Sequence, residues 1–345
     1  MKAAVLNEFG AALTLEERPT PVAGDDEVLI RLEACGVCHS DLHIIDGDQP
    51  AFRAATRPRL IPGHEAVGRI VAKGKAVSHL EIGQRVGVAW LYQSCGACEQ
   101  CCEGRENLCR KSVITGLMVD GGYAEFMLAK ASHAIPIPDA LGPEEAAPLF
   151  CAGVTVYRAL KNAGTAPGQR VAVIGVGGLG HLAVQIARAM GAEVIGLDVS
   201  REKLALATEL GASQAVDSAD PGALKALAKA GGVHVAIVTS AAKAAFDAAM
   251  VVLRPAGTLA VVGLPVQPLT FAALALVARE IRVIGSAVGT RDDLHAVLAL
   301  AAEGKLRCRT EPQPLDQINH VLDRMRGGGI YGRVVLRYED AHSPG

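Results

Sequence analysis

Aromatic side chains make up only 3% of the chain, with a single tryptophan, so any core has to be aliphatic. An excess of charge is missing as well. The 34 Lys and Arg against 36 Asp and Glu leave a formal charge of −2, and no basic run stands out. Nucleic acid and anionic membrane surfaces therefore find no electrostatic footprint. Long apolar runs are lacking too. The most apolar windows, 171–190 and 233–262, are broken by His181, Arg188, Lys243 and Arg254, whereas a bilayer span needs about 20 consecutive apolar residues. The opening MKAAVLNEFG meets Asn7 and Glu8 before a signal-peptide apolar region could form. A cytoplasmic location is expected. Neither an internal repeat nor a low-complexity linker is evident.

What is present is richer. A length of 345 residues favours two domains over one core. Nine cysteines is an odd number, which a disulfide framework does not predict. In a reducing compartment such cysteines are read as metal ligands or chemical groups.

Three zones differ in texture. Residues 1–150 carry short strand-like runs (28–32, 66–71, 85–90) between Gly- and Pro-containing turns, the pattern of an irregular β domain. From Val171 onward the apolar runs VAVIG, VIGLD, VHVAIVTS, TLAVVG and IRVIG alternate with helical stretches. That alternation predicts βαβ units and a parallel sheet covered on both faces. After about Gly289 a helical stretch and the strand-like GRVVLRY follow.

Gly175-Val-Gly177-Gly178-Leu179-Gly180 sits directly after the run Val171–Ile174 and opens a segment whose apolar residues recur at helical spacing. In that context the glycines let backbone approach a pyrophosphate seated on a helix N-terminus. Asp198 ends the next strand, where a carboxylate accepts the adenosine ribose hydroxyls and repels a 2′-phosphate. NAD is expected rather than NADP.

Cys95-x2-Cys98-x2-Cys101-x7-Cys109 offers four thiolates, the donor set of a closed, structural zinc site. Cys102, beside Cys101, is an alternative third ligand, although the regular spacing favours Cys101. A second cluster lies in CGVCHSDLH at 35–43. Two thiolates and one imidazole with an open fourth position would make a catalytic zinc site. Spacing alone does not select Cys38, His64 and Cys151 for it.

The motifs CGVCHSDLH, GHEAVG, the four-cysteine lobe, CAGVTVYRALK and GVGGLGH, in this order, resemble the zinc-dependent medium-chain alcohol dehydrogenases. The resemblance runs from Lys2 to about Tyr338. It is strongest to bacterial NAD-dependent members that oxidise simple primary alcohols. It implies an α/β fold: a Rossmann doubly wound parallel sheet over 152–288, plus a GroES-like irregular β-barrel catalytic domain from 1–151 and 289–345, with the zinc lobe at 95–109. It further implies two zinc ions per subunit, one on Cys38, His64 and Cys151 and one on the lobe.

Other roles follow from the same resemblance. Glu65 matches the acid next to the zinc, Asp41 the carboxylate that orients His64, and Ser40 and His43 a proton relay. His39, Thr155, Leu179, Lys203, Val262, Leu264 and Arg333 join the glycine turn and Asp198 as cofactor contacts. Trp90 falls where the family lines its substrate pocket. A small alcohol or aldehyde is the implied substrate, and a homotetramer, with a dimer as the alternative, the implied assembly. Cys35, Cys102 and Cys308 are read as small buried or half-buried residues, and histidines other than His39, His43, His64 and His181 as surface residues.

One departure stands out. Short-chain-preferring members carry Gly-Asp-Trp-Pro after the first motif, whereas here Gly47-Asp48-Gln49-Pro50 removes that tryptophan. Room for a longer alkyl chain or a ring is expected, unless Phe52 or a longer 51–59 loop refills the gap. Competing readings are the sister polyol, threonine and formaldehyde-adduct dehydrogenases, and a non-catalytic NAD(P)H-binding sensor of the same fold. Polyol and threonine enzymes commonly place an acid where this chain has Cys151, and metal-free relatives lack the ligand set.

Overall fold

The computed structural model describes residues 1–265 and 267–338. Two compact units emerge. One comprises Met1–Cys151, Thr290–Ala302 and the described residues from Cys308 on; the other comprises Ala152–Gly289 and Glu303–Arg307.

The first unit is built on a seven-stranded sheet. Its spine is the ten-residue strand Glu27–Gly36, whose burial pattern buries Val28, Leu29, Ile30, Leu32 and Ala34–Gly36. It pairs along its length with Ala66–Lys73. Its first half also takes Phe126–Lys130, and its last residues take Arg333–Arg337, all antiparallel. Sequence-distant strands thus converge where this spine ends, just before Cys38. The strand Thr310–Pro314 carries two prolines, which a sheet tolerates at an edge, and it pairs only with Arg333–Arg337. Its prolines hid it from the sequence pattern. The helix Ile318–Arg326, also unanticipated, buries Ile318, Val321, Leu322 and Met325 against the same core. That core is aliphatic apart from a few rings, Tyr123 and Phe150 being the fully buried aromatics of this unit.

The second unit holds six parallel strands. Numbered along the chain, they lie in the order 3-2-1-4-5-6, starting from Arg170–Ile174 as the first. This is the doubly wound Rossmann arrangement, whose order reverses between the first and fourth strands. Five of the strands coincide with the apolar runs VAVIG, VIGLD, VHVAIVTS, TLAVVG and IRVIG. The remaining strand, Gln214–Asp217, third along the chain, was missed because only its two central residues, Ala215 and Val216, are apolar. Among the described residues, no helix is long and apolar enough to cross a membrane.

Candidate active site

Among the described residues of the first unit, two groups of metal-capable side chains form. Each brings one donor atom per residue to within 4.8 Å of the others. The first is the lobe, Cys95, Cys98, Cys101 and Cys109. Its Sγ atoms lie 3.5 Å (Cys98 to Cys101) and 3.9 Å (Cys95 to Cys101, Cys98 to Cys109) apart. The one-turn helix Glu99–Cys102 turns Cys101 toward the group and leaves Cys102 exposed, contrary to the half-buried reading of Cys102. Backbone N–H groups cradle the sulfurs: Cys95 and Lys111 donate to Cys109 at 3.4 Å, and Cys98 donates to Cys95 at 3.3 Å. The N–H groups of Ala97 and Cys98 hold the Cys95 thiol down at about 6. Four soft donors with no other ligand fit zinc in a closed tetrahedral site.

The second group is Cys38, His64, Glu65 and Cys151, all buried. Local structure places each one. Cys38 caps the helix His39–Asp46, in a capping box in which Asp41 accepts from the Cys38 N–H and the Cys38 sulfur accepts from the Asp41 N–H. His64 and Glu65 immediately precede the strand Ala66–Lys73. Cys151 ends the 3-10 turn Ala147–Phe150 and precedes the helix Ala152–Asn162. Gly36 is required beside them, because a Cβ there would fall 1.9 Å from a Glu65 carboxylate oxygen.

The electrostatics of this group are those of a cation site. The sulfurs of Cys38 and Cys151 are 3.9 Å apart. The hydrogen bond from Cys151, assisted by His64 and Arg333, holds the Cys38 thiol well below its usual range. The same contact and burial push Cys151 well up. Burial opposes a charge on His64, but Asp41 at 2.8 Å from Nδ1, with Cys38, outweighs it, and the imidazole is shifted up. Burial pushes Glu65 up to about 7 against the pull of Arg333, whose guanidinium it binds. Nε2 of His64 and Oε2 of Glu65 are buried without a hydrogen-bond partner. Two thiolates with an unpartnered imidazole nitrogen fit zinc, and buried polar atoms in folded chains otherwise find partners.

The remaining sequence-derived residues fall as follows. Ser40 and His43 are half-buried on the helix that Cys38 caps, and His39 is exposed on it. Nδ1 of His43 lies 2.9 Å from both carboxylate oxygens of Asp48. Gln49 caps the short helix Pro50–Ala55. The ring of Phe52, on that helix, packs 5.7 Å from Trp90, which meets the His64 ring edge-on at 4.9 Å. Phe52 thus lies against Trp90, the contact that the alternative of a gap refilled by Phe52 calls for. Arg333 is buried against Glu65 in the first unit.

In the second unit, Gly175–Leu179 join the first strand to the helix Gly180–Ala189. A Cβ on Gly177 would meet nothing within 4 Å, so that face of the turn is open to an approaching ligand. Asp198 accepts hydrogen bonds from the N–H of Val176 at 2.7 Å and from Val199 and Ser200 at 2.8 and 3.0 Å. The carboxylate therefore braces the glycine turn, a duty its place in the sequence did not announce. An ionised carboxylate offers about four lone-pair sites, which leaves room for a further donor. Thr155 and Val262 are buried, Lys203 is half-buried and Leu264 exposed. His181 is buried and bonded through Nδ1 to the Gly177 carbonyl.

Sequence reasoning missed Tyr123, whose hydroxyl donates to Asp41, and Asp48 as the partner of His43. It also read His133 as a surface residue, whereas it is buried between Ser94 and Ser132. His342, read the same way, lies outside the described residues. An aspartate five residues after His43, just past the end of its helix, was a usable signal for Asp48. Nothing local announced Tyr123 or His133.

Comparison with known proteins agrees with this geometry. A family described as alcohol dehydrogenase GroES-like domain matches residues 24–139, and one described as zinc-binding dehydrogenase matches residues 178–303. An alcohol dehydrogenase of Geobacillus stearothermophilus is 48% identical over 98% of this chain and 100% of its own length. Among solved structures, the alcohol dehydrogenase of the hyperthermophilic archaeon Aeropyrum pernix superposes with a TM-score of 0.90 at 37% identity, covering 98% of this chain and all of that one. Acetophenone reductase from Geotrichum candidum, solved in complex with NAD, gives 0.88 at 34% identity over 99% and 98% of the two chains. Full-length likeness of this order identifies an oxidoreductase: the chain belongs to the zinc-dependent medium-chain alcohol dehydrogenase family.

Proposed function

We propose that the enzyme oxidises simple primary alcohols to aldehydes, and runs the reverse reaction, with NAD as hydride acceptor and two zinc ions per subunit. The observation that carries this reading is the buried Cys38–His64–Cys151 group with its unpartnered imidazole nitrogen. Cys38, His64 and Cys151 would hold zinc, which would supply Lewis-acid chemistry to the alcohol oxygen, with NAD as the hydride acceptor. Asp41 holds the Nδ1–H of His64 and so presents Nε2 as the ligand atom. Arg333 balances the Glu65 charge beside it. Ser40 takes the alcohol proton and His43 passes it to solvent. With Asp48 engaging Nδ1, Nε2 of His43 is the atom that receives it.

On the cofactor side, the Gly175–Gly180 turn receives the pyrophosphate and Asp198 the adenosine ribose. Lys203, His39, Arg333, Thr155, Val262 and Leu264 complete the contacts. Trp90 lines the substrate. The lobe zinc on Cys95, Cys98, Cys101 and Cys109 is structural. The enzyme works in the cytoplasm as a homotetramer. One of its contacts is supported by the strand Arg282–Gly285, which among the described residues has no neighbour on its outer edge, and by the helix Ala273–Val277 that leads into it, on which Leu274 and Val277 are 78% and 75% exposed. Light scattering of the native protein measures the subunit number.

Metal analysis combined with ethanol-dependent NADH formation tests the reading. A mild chelator should remove activity together with about one zinc per subunit before the fold is lost. A single zinc in fully active protein rejects it, and activity with polyols but not ethanol favours the sister enzymes.

A further inference from the structure

Asp41 is saturated. Its Oδ1 accepts from Nδ1 of His64 at 2.8 Å and from the Gly63 N–H at 3.2 Å. Its Oδ2 accepts from the Cys38 N–H at 3.0 Å and from the Tyr123 hydroxyl at 2.8 Å. The carboxylate is fully buried, so no solvent molecule stands ready to replace a lost donor. Three of the four donors belong to the two segments that present Cys38 and His64. The fourth comes from elsewhere in the chain and touches neither ligand by hydrogen bond.

Tyr123 is itself held rigidly. Its side chain is fully buried, its N–H donates to the Pro62 carbonyl at 2.9 Å, and its own carbonyl accepts from the Ala4 N–H at 2.8 Å. Its ring lies so close over Gly63 that a Cβ there would stand 2.6 Å from Cδ1. Gly63 also has φ +98°, a region closed to most side chains. The phenol is thus fixed from the Pro62–Gly63 side and aims its one proton at Oδ2.

We infer that Tyr123 is a positioning residue of the metal centre: its hydroxyl locks the Asp41 carboxylate, and through it the imidazole of His64 and the backbone of Cys38. The inference rests on the reading of Cys38, His64 and Cys151 as zinc ligands. Without the hydroxyl, Oδ2 keeps one donor and the carboxylate is free to tilt about its bond to Cys38. The His64 ring then loses its fixed orientation, although packing around the phenyl ring is unchanged. Partners of this kind, one step behind the ligands, typically govern metal affinity by about 10- to 100-fold. Tyr123 acts one step further back, so an effect near the lower end is expected.

The test is zinc release from holoenzyme to excess chromogenic chelator, comparing wild type with Tyr123→Phe, which removes only the oxygen. The fast class of zinc should leave about tenfold faster in the variant, while the lobe zinc stays at its wild-type rate and the thermal unfolding midpoint falls by only a few degrees, the cost of one lost hydrogen bond to a buried carboxylate. In an Asp41→Asn background the same substitution should have little further effect, since a coupled pair is not additive. Unchanged release in Tyr123→Phe overturns the inference. Equal acceleration of both zinc classes with a lowered midpoint also overturns it, by showing a packing role only. A wild-type enzyme with no fast zinc class removes the metal reading and the inference together, whereas two classes in wild type with unaltered kinetics in the variant removes the inference alone.

Discussion

In the lobe, backbone N–H groups from the same short stretch carry the thiolates. At the Cys38–His64–Cys151 cluster the Cys38 sulfur also accepts from a local backbone N–H, that of Asp41, but the imidazole is oriented by side chains remote from it in sequence, Asp41 and behind it Tyr123, and Arg333 faces Glu65. The lobe cysteines are mostly half-exposed, while every member of the other group is buried. A closed site that only staples a loop can be specified locally. A site with an open position must hold its ligands by the surrounding fold, because no fourth protein ligand tethers them. The two groups thus differ in where their order comes from, and substitutions should separate them.

The largest effects are expected at the ligands themselves. Cys38→Ser should remove about one zinc and lower kcat/KM on the order of 10³-fold or more, the loss of several kcal/mol of transition-state stabilisation, with the unfolding midpoint little moved. Cys98→Ser should remove the other zinc and lower the midpoint by about 5–10 °C, while the folded fraction keeps near-normal kcat. Parallel zinc assays, calorimetry and initial rates decide it. The comparison breaks if Cys98→Ser abolishes turnover in folded protein or if Cys38→Ser unfolds the chain.

What could be read in advance follows the same division. The lobe was legible as spacing, because its ligands and their donors lie within one stretch; only the choice between Cys101 and Cys102 needed the turn of the helix Glu99–Cys102. The parallel sheet was legible because most of its strands are continuous apolar runs, and it failed at Gln214–Asp217, where polar residues flank only Ala215 and Val216. Cys38, His64 and Cys151 could not be grouped by spacing, since sheet pairing between distant strands brings them together; the family resemblance supplied the set. Tyr123 and His133 stayed hidden because their partners, Asp41 and Ser94, are remote in sequence and their residue types are common in cores.

Asp198 stands between these extremes, local to its βαβ unit yet bonded back to Val176. Asp198→Gly should weaken NAD use and improve NADP use, each by about 1.5–3 kcal/mol, the range for a hydrogen bond to a charged group. Because the carboxylate also braces the glycine turn, a small loss of stability without cofactor should accompany the switch. Steady-state kinetics with both cofactors, and unfolding of the apoenzyme, measure the two parts. Wild-type protein that uses NADP as well as NAD contradicts the assignment.

His133 tests how firmly the lobe is tied to the sheet. It bonds Ser94, next to Cys95, and stands near Arg291 and Glu106, whose ion pair forms a second tie. Burial, then the Arg291 charge, push its pKa down to about 4. An unfolded histidine titrates near ~6.5. Between those values the unfolded chain binds more protons, so stability rises with pH, is complete above ~6.5 and is lost toward 4. Lowering the pH from 6.5 to 5 should cost on the order of 2 kcal/mol at this residue. Urea unfolding of wild type and His133→Gln at the two pH values measures it. The variant should lose most of that difference; an unaltered pH dependence would place the cause elsewhere.

The smallest effect concerns the aromatic pair beside the other cluster. Phe52 lies against Trp90, tilted by 52°, and Trp90 touches His64 edge-on. If Trp90 lines the substrate, Phe52 takes the space that the missing tryptophan at Gln49 would otherwise leave, and wild-type efficiency should level off at short alcohols. Phe52→Ala should reopen that space. Each further buried methylene is worth about 0.8 kcal/mol, roughly fourfold in kcat/KM where the new space is dry. The gain should therefore grow from propanol to hexanol and extend to benzyl alcohol, with ethanol turnover and zinc content unchanged because Trp90 keeps its contact with His64. Gln49→Trp should change little, since Phe52 already occupies the wall. A primary-alcohol series at saturating NAD decides it. Wild-type efficiency that climbs steadily to hexanol, with no further gain in Phe52→Ala, would mean that Phe52 packs on Trp90 without bounding the substrate.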